Sequence, residues 1–225
     1  MNTNLWAFVI YRCIVGSRAY GLAEAESDTD KRGIYLPPAR LQWSLNGVPE
    51  QLENEATQEC YWELQKFIML ALKANPNILE CLYTPLVEHV SPLAEELLAN
   101  RSRFLSRQLY ETYQRYVQSQ FKKLDADLRT RGEIRWKHAM HLIRLQMAGI
   151  YALREGAIQV DVRQYRQQLL QIKHGQMAWA EIATWQATLA KEFDDAFIQT
   201  RLPDAPDHEW ANDFLLKARQ SMVNT

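Results

Sequence analysis

The chain is poor in cysteine, in uncompensated charge and in long apolar runs. Its three cysteines, Cys13, Cys60 and Cys81, are odd in number and lack Cys-x-x-Cys spacing, which leaves no pattern for a disulfide framework. Each sits in or beside an apolar stretch and is read as a buried thiol in a reducing cytoplasm. Lys and Arg number 26 against 27 Asp and Glu, a formal net charge of -1, so no global basic field advertises nucleic-acid binding and only a local basic groove is open. The run Leu5 to Val15 is broken by Tyr11-Arg12 and is too short to span a bilayer. With no basic segment before it and no small-residue cleavage site, it predicts neither membrane insertion nor export. His89, His174 and His208 lack ligand spacing, so zinc is not expected. Repeats, low-complexity tracts and flexible linkers are also missing, and the parts of the chain are expected to pack together.

What is present is 225 residues with 47% apolar content, ample for one large domain or two small ones. Leu5 to Val15 reads as a buried strand whose first part also fits a helix end. It stops at Gly16-Ser17. After a polar stretch, Thr29 to Leu36 reads as a second strand closed by Pro37-Pro38, and Gln51 to Trp62 as a third, on Cys60, Tyr61 and Trp62. Few residues precede the first strand, so a covering helix is absent or the chain starts late, and a truncated sheet edge is a potential pairing edge. Glu63 to Ala74 carries Leu64, Phe67, Ile68, Ala71 and Leu72 on one helical face and ends at Asn75-Pro76; Ile78 to Tyr83 continues as a short helix. From Ser91 onward helical periods recur at Leu93–Ala99, Phe104–Leu128, Ile134–Arg154, Tyr165–Lys173, Trp179–Ile198 and Trp210–Met222. The expected fold is α+β: a small mixed sheet over residues 1–90, then an all-helical region over 91–225 that closes one side of the site.

The stretch that carries chemistry is Gly16-Ser17-Arg18-Ala19-Tyr20-Gly21-Leu22, followed by Ser27-Asp28-Thr29-Asp30. Gly16 lets a backbone approach a phosphate, and Ser17 offers a hydroxyl and N–H groups where a short helix starts. On a strand, Asp28 and Asp30 share a face about 6.5–7 Å apart. Magnesium takes one or two carboxylates and completes its octahedron with water and phosphates, so a triphosphate site beside them fits. Alone, Gly-Ser is a common turn and Asp-x-Asp a solvated strand end or cap; the order and spacing between two strands make the combination specific.

Gly16-Ser17 followed by Asp28-x-Asp30 resembles the active-site signature of the DNA polymerase beta nucleotidyltransferase superfamily. The longer string GSRAYGLAEAESDTDKRGIYLPP is similar to predicted nucleotidyltransferases related to the RNA-ligase-associated polymerase group. LQKFIMLALKANPNILECLYTP and WKHAMHLIRL look like further blocks of that group. The resemblance implies a nucleotide-binding role for Gly16 and Ser17 and a magnesium-binding role for Asp28 and Asp30. Arg18 and Tyr20 belong to the same block, as nucleotide-site lining or as a surface cation and a core aromatic. A third carboxylate is implied on a later strand. Its position falls near Gln58, which neither binds metal as a charged ligand nor accepts a proton; Glu59 beside it is the candidate through a register shift, with Glu55 a little earlier, and otherwise the enzyme is impaired or binds nucleotide without turnover.

A basic stripe of Lys137, His141 and Arg144, at i, i+4 and i+7, could reach a triphosphate, with His138 about 100 degrees round the helix. Such a stripe is commonly a solvated face; the resemblance raises Lys137, His138 and Arg144 as nucleotide-binding candidates. The implied activity is transfer of a nucleoside monophosphate from a nucleoside triphosphate, ATP among them, to a hydroxyl of RNA, protein or a small molecule. The alternatives are a non-catalytic nucleotide-binding regulatory module and an antitoxin-like interaction protein whose helical tail binds a partner.

Overall fold

The computed structural model describes residues 4–224. Two compact units are present among the described residues, one comprising 4–19, 23–104 and 206–224, the other Tyr20–Leu22 and Leu105–Ala205. The segments 91–104 and 206–224, read from sequence as part of the helical region, therefore belong with the sheet.

In the first unit a 3-10 turn over Leu5–Phe8 leads into β1 (Val9–Val15), a single helical turn α1 (Gly16–Ala19) and β2 (Asp30–Tyr35). A short α2 (Ala39–Gln42) precedes β3 (Gln51–Asn54) and β4 (Glu59–Glu63), then α3 (Leu64–Leu72), α4 (Pro76–Tyr83), β5 (Val87–Val90) and α5 (Pro92–Ala99). The strands form one mixed sheet in the order β3-β4-β2-β1-β5. β1 pairs antiparallel with β2 and with β5, and β2 runs parallel to β4. The expected strand Gln51–Trp62 is two strands, because Gln58 takes a left-handed φ of 54° at the end of the turn that reverses the chain. β5, exposed and four residues long, carried no alternation to reveal it; it covers the outer side of β1, so that strand is not an edge.

Close approach sets the β1–β2 contact. A Cβ on Gly33 would stand 1.9 Å from the Tyr11 carbonyl oxygen, so no larger residue fits there. Tyr35, Leu52 and Tyr61 pack on one side with Leu5, Trp6 and Val9, and the Tyr11 hydroxyl donates to the Cys81 carbonyl of α4 at 2.6 Å. All three cysteines are buried free thiols, and burial pushes the Cys60 thiol up to about 11.

The second unit holds α6 (Gln108–Arg131), α7 (Trp136–Glu155), α8 (Arg166–Lys173) and α9 (Trp179–Gln199). α7 is buried along most of its length, from Ala139 to Leu153, and packs against the other three helices. Tyr110 stacks on Phe197 at 4.3 Å. No helix among the described residues is long and apolar enough to cross a membrane.

α10 (His208–Ser221) returns to the sheet unit. Its Arg219 reaches Glu63 at 2.6 Å, with side chains only 12% and 4% exposed, and the Met222 carbonyl accepts the Ala39 N–H at 3.0 Å. Glu63 also caps α3 by accepting the Gln65 N–H at 2.9 Å. Removing one member of a buried pair strands the other charge, at about 3–5 kcal/mol. Arg219→Ala is expected to lower the urea midpoint by an amount in that range, whereas Arg115→Ala, whose partner Glu111 is exposed, changes it by less than about 0.5 kcal/mol.

Candidate active site

The register of β1 and β2 builds the site. Val15 pairs with Asp30, so the next residue, Gly16, must pass beside the Asp30 side chain. Gly16 has φ 71° and a Cβ there would lie 2.7 Å from Asp30 Oδ2. Any other residue at position 16 would meet that carboxylate and adopt a left-handed backbone at a cost of about 1–2 kcal/mol. Ser17 follows in the same helical turn.

Asp28 is exposed and lies ahead of β2 rather than on it, since the strand begins at Asp30. Its position is set by the main chain. Arg18 Nε donates to the Asp28 carbonyl at 3.3 Å and Nη2 to the Ser27 carbonyl at 2.9 Å. The Ser27 hydroxyl accepts the Glu24 N–H at 2.9 Å. Arg18, a nucleotide-binding candidate from sequence, is thus occupied in tying the acidic loop to α1.

The two oxygens of Asp30 have different neighbours. Oδ2 faces Gly16, and Oδ1 lies 3.3 Å from Arg32 Nη2. Arg32 lies within the string that carries the family resemblance, and its i, i+2 spacing from Asp30 is the sequence signal that sets the two side by side. Lys31 points to the opposite face, where it pairs with Glu88 at 3.5 Å and Glu59 at 4.0 Å.

Glu59 is therefore not brought to Asp30. It stands opposite Lys31 in the parallel register and accepts from the hydroxyls of Thr57 at 3.1 Å and Tyr61 at 3.2 Å. Residues opposite each other in paired strands share a face, and successive residues alternate. Among the described residues no group of three or more His, Cys, Asp or Glu side chains is placed to hold a metal ion. Magnesium needs only one or two protein carboxylates when phosphates supply the rest; Asp28 is exposed and one oxygen of Asp30 faces Gly16.

Lys137, His138, His141 and Arg144 lie on α7 in the helical unit, and the expected stripe of Lys137, His141 and Arg144 is not one solvent-facing surface. Lys137 is exposed, whereas Arg144 is fully buried with its guanidinium 3.6 Å over the Tyr20 ring. A desolvated cation over an aromatic face is worth about 2 kcal/mol. Arg144 Nη2 also lies 3.3 Å from His141 Nδ1. The rest of the Tyr20–Leu22 segment is held alongside: the Val162 N–H donates to the Tyr20 carbonyl at 3.0 Å, and Arg166 to the Gly21 carbonyl at 2.6 Å. Tyr20 is thus a packed ring on a buried arginine.

His138 lies 3.4 Å from Gln120 Oε1, and burial, then Arg135 and Lys123, lower its pKa below the ordinary 6.5. A group that prefers to be neutral in the folded chain loses stability as pH falls through its unfolded value, because the unfolded chain takes the proton first. Denaturant midpoints should fall below about pH 6.5, and His138→Gln should reduce that fall. Gly16→Ala should lower magnesium-dependent triphosphate affinity by about 10-fold or more, and cost about 1–2 kcal/mol of stability for its backbone plus the displacement of the Asp30 carboxylate; calorimetric titration and urea melts separate the two.

Comparison with known proteins bears on the same residues. Residues 3–217 match RlaP, the RNA repair pathway DNA polymerase beta family. An uncharacterized protein of Bacillus subtilis (strain 168), YcgL, is 33% identical over 82 residues, 35% of this chain and 32% of its own length. An uncharacterized 38.9 kDa protein from the nrdC-mobD intergenic region of enterobacteria phage T4 is 27% identical over 128 residues, 51% of this chain and 38% of its own. The chain spans well under half the length of these curated relatives. The family match, by contrast, runs over nearly all of the chain, from ahead of the first strand into α10, and by it the protein belongs to the RNA repair pathway DNA polymerase beta family.

Proposed function

We propose that the protein is a magnesium-dependent nucleotidyltransferase that moves a nucleoside monophosphate from a nucleoside triphosphate to an acceptor hydroxyl. The observation that carries this reading is the passage of the Gly16 backbone directly beside Asp30 Oδ2, which sets a carboxylate against the helical turn bearing Ser17 with no intervening side chain. Gly16 and Ser17 would cradle the phosphates, and Asp28 and Asp30 would hold the ion that accompanies them. Magnesium there would supply a Lewis acid for the phosphoryl oxygens. The acceptor oxygen forms a bond to the α-phosphorus, the bond to the β-phosphate oxygen breaks, pyrophosphate leaves and the acceptor proton passes to water. The family description speaks of an RNA repair pathway, which makes an RNA end the first acceptor to try. A reducing cytoplasmic setting goes with this reading, on the three free buried thiols.

A second reading, a nucleotide-binding module without turnover, is favoured by one observation: Glu59 faces Lys31 rather than Asp30. Pyrophosphate release, measured with each of the four ribonucleoside triphosphates and an RNA acceptor panel, distinguishes the two. Release is expected from the natural chain and should fall about 100-fold or more in Asp28→Ala/Asp30→Ala. Magnesium-dependent binding without release would support the second reading. Affinity unchanged by the double substitution would remove the site assignment altogether.

A further inference from the structure

Resting on the nucleotidyltransferase reading, the arrangement around Asp30 bears on how many metal ions the site takes. The family resemblance implies a third carboxylate on the strand beside Asp30, at the position of Gln58. Extension of the Lys31–Glu59 register does place residue 58 opposite Asp30. Gln58, however, turns its side chain back into its own turn, where the amide donates to the Glu55 carbonyl at 2.9 Å. Its carbonyl oxygen, aimed by the left-handed φ of 54°, accepts the Lys31 N–H at 3.0 Å and Arg32 Nη1 at 2.9 Å. The same Nη1 donates to the Lys31 carbonyl at 2.8 Å, and Nη2 lies against Asp30 Oδ1. A guanidinium thus fills the gap between Asp30 and residue 58.

The charges follow from that placement. Three carboxylates would bring a formal charge of -3 and call for two divalent ions. Asp28 and Asp30 with Arg32 bring -1. A second divalent ion at Oδ1 of Asp30 would have to displace a cation already seated there with two further carbonyl partners. The nearest extra carboxylate along the chain, Glu59, neutralises Lys31 on the opposite face and cannot offset the guanidinium.

We propose that Arg32 takes the place of a second metal ion, so that the protein binds a single divalent cation with its triphosphate and the guanidinium supplies the other positive charge beside Asp30. Arg32 also carries a positioning role, holding Oδ1 so that Oδ2 stays turned toward Gly16.

Manganese serves as the probe. The free ion gives a paramagnetic resonance signal that is lost on binding, so titration of the full chain with a non-hydrolysable triphosphate analogue counts bound ions directly, without turnover. One ion per chain is expected for the natural protein and for Arg32→Lys, and two for Arg32→Gln/Gln58→Asp, which removes the cation and restores the carboxylate. Two ions in the natural chain would overturn the inference while leaving the nucleotide site intact; a single ion in the double variant, with its urea midpoint preserved, would overturn it as well. No bound ion in the natural chain would bring down the nucleotidyltransferase reading and this inference with it. Should the double variant fail to fold, the counts for the natural chain and Arg32→Lys decide, two ions in either being the contrary result.

Discussion

The pairing of Val15 with Asp30 is the constraint on which the site depends. Once β1 and β2 adopt that register, the residue after Val15 has to turn away within reach of the Asp30 side chain, and only a residue without a Cβ can do so. The register is itself held by close packing further along, where Gly33 admits the Tyr11 carbonyl and the Tyr11 hydroxyl is tied to α4. A one-residue slip would turn Asp30 to the other face. Packing in the middle of the sheet and the placing of Asp30 at its end are therefore one arrangement.

Strand alternation then divides the charges. Asp30 and Arg32 fall on one side of β2, Lys31 with Glu59 and Glu88 on the other. Each acidic group beside the strand has a cationic neighbour, but the two sides differ in their openness to ligand: Glu59 is engaged by Lys31 and two hydroxyls, whereas Asp30 keeps one oxygen toward the glycine turn. Arg18 adds to this by anchoring the main chain at Ser27 and Asp28, so that Asp28 is positioned through its carbonyl while its carboxylate is left exposed.

Arginine serves as a fastener throughout the chain. Arg219 secures α10 to Glu63 at the start of α3, Arg166 and Arg144 hold Gly21 and Tyr20 within the helical unit, and Arg18 and Arg32 brace the acidic loop and strand. The guanidinium suits this work because its planar set of donors meets several carbonyl or carboxylate oxygens at once. A near-zero net charge accordingly conceals a set of specific pairings rather than an evenly solvated surface.

Local signals were enough to determine the α+β class, the helix over Leu64–Leu72 with its Asn75-Pro76 stop and the long helical periods after Ser91, and to single out Gly16-Ser17 and Asp28-x-Asp30 as the candidate site. These depend on side-chain periodicity, on turn chemistry and on short spacings, all written within a few residues of one another. Only the tertiary structure decided the rest. β5 and the break between β3 and β4 depend on neighbouring strands that supply hydrogen bonds to segments with little pattern of their own. The membership of α10 in the sheet unit rests on a contact between Arg219 and Glu63 across more than 150 residues of chain, which no window of sequence contains. Glu59 and Arg32 are placed for the same reason: which face a strand residue occupies follows from register against its partner, and register is a property of two strands together, so Glu59 faces Lys31 and not Asp30, while Arg32 stands beside Asp30.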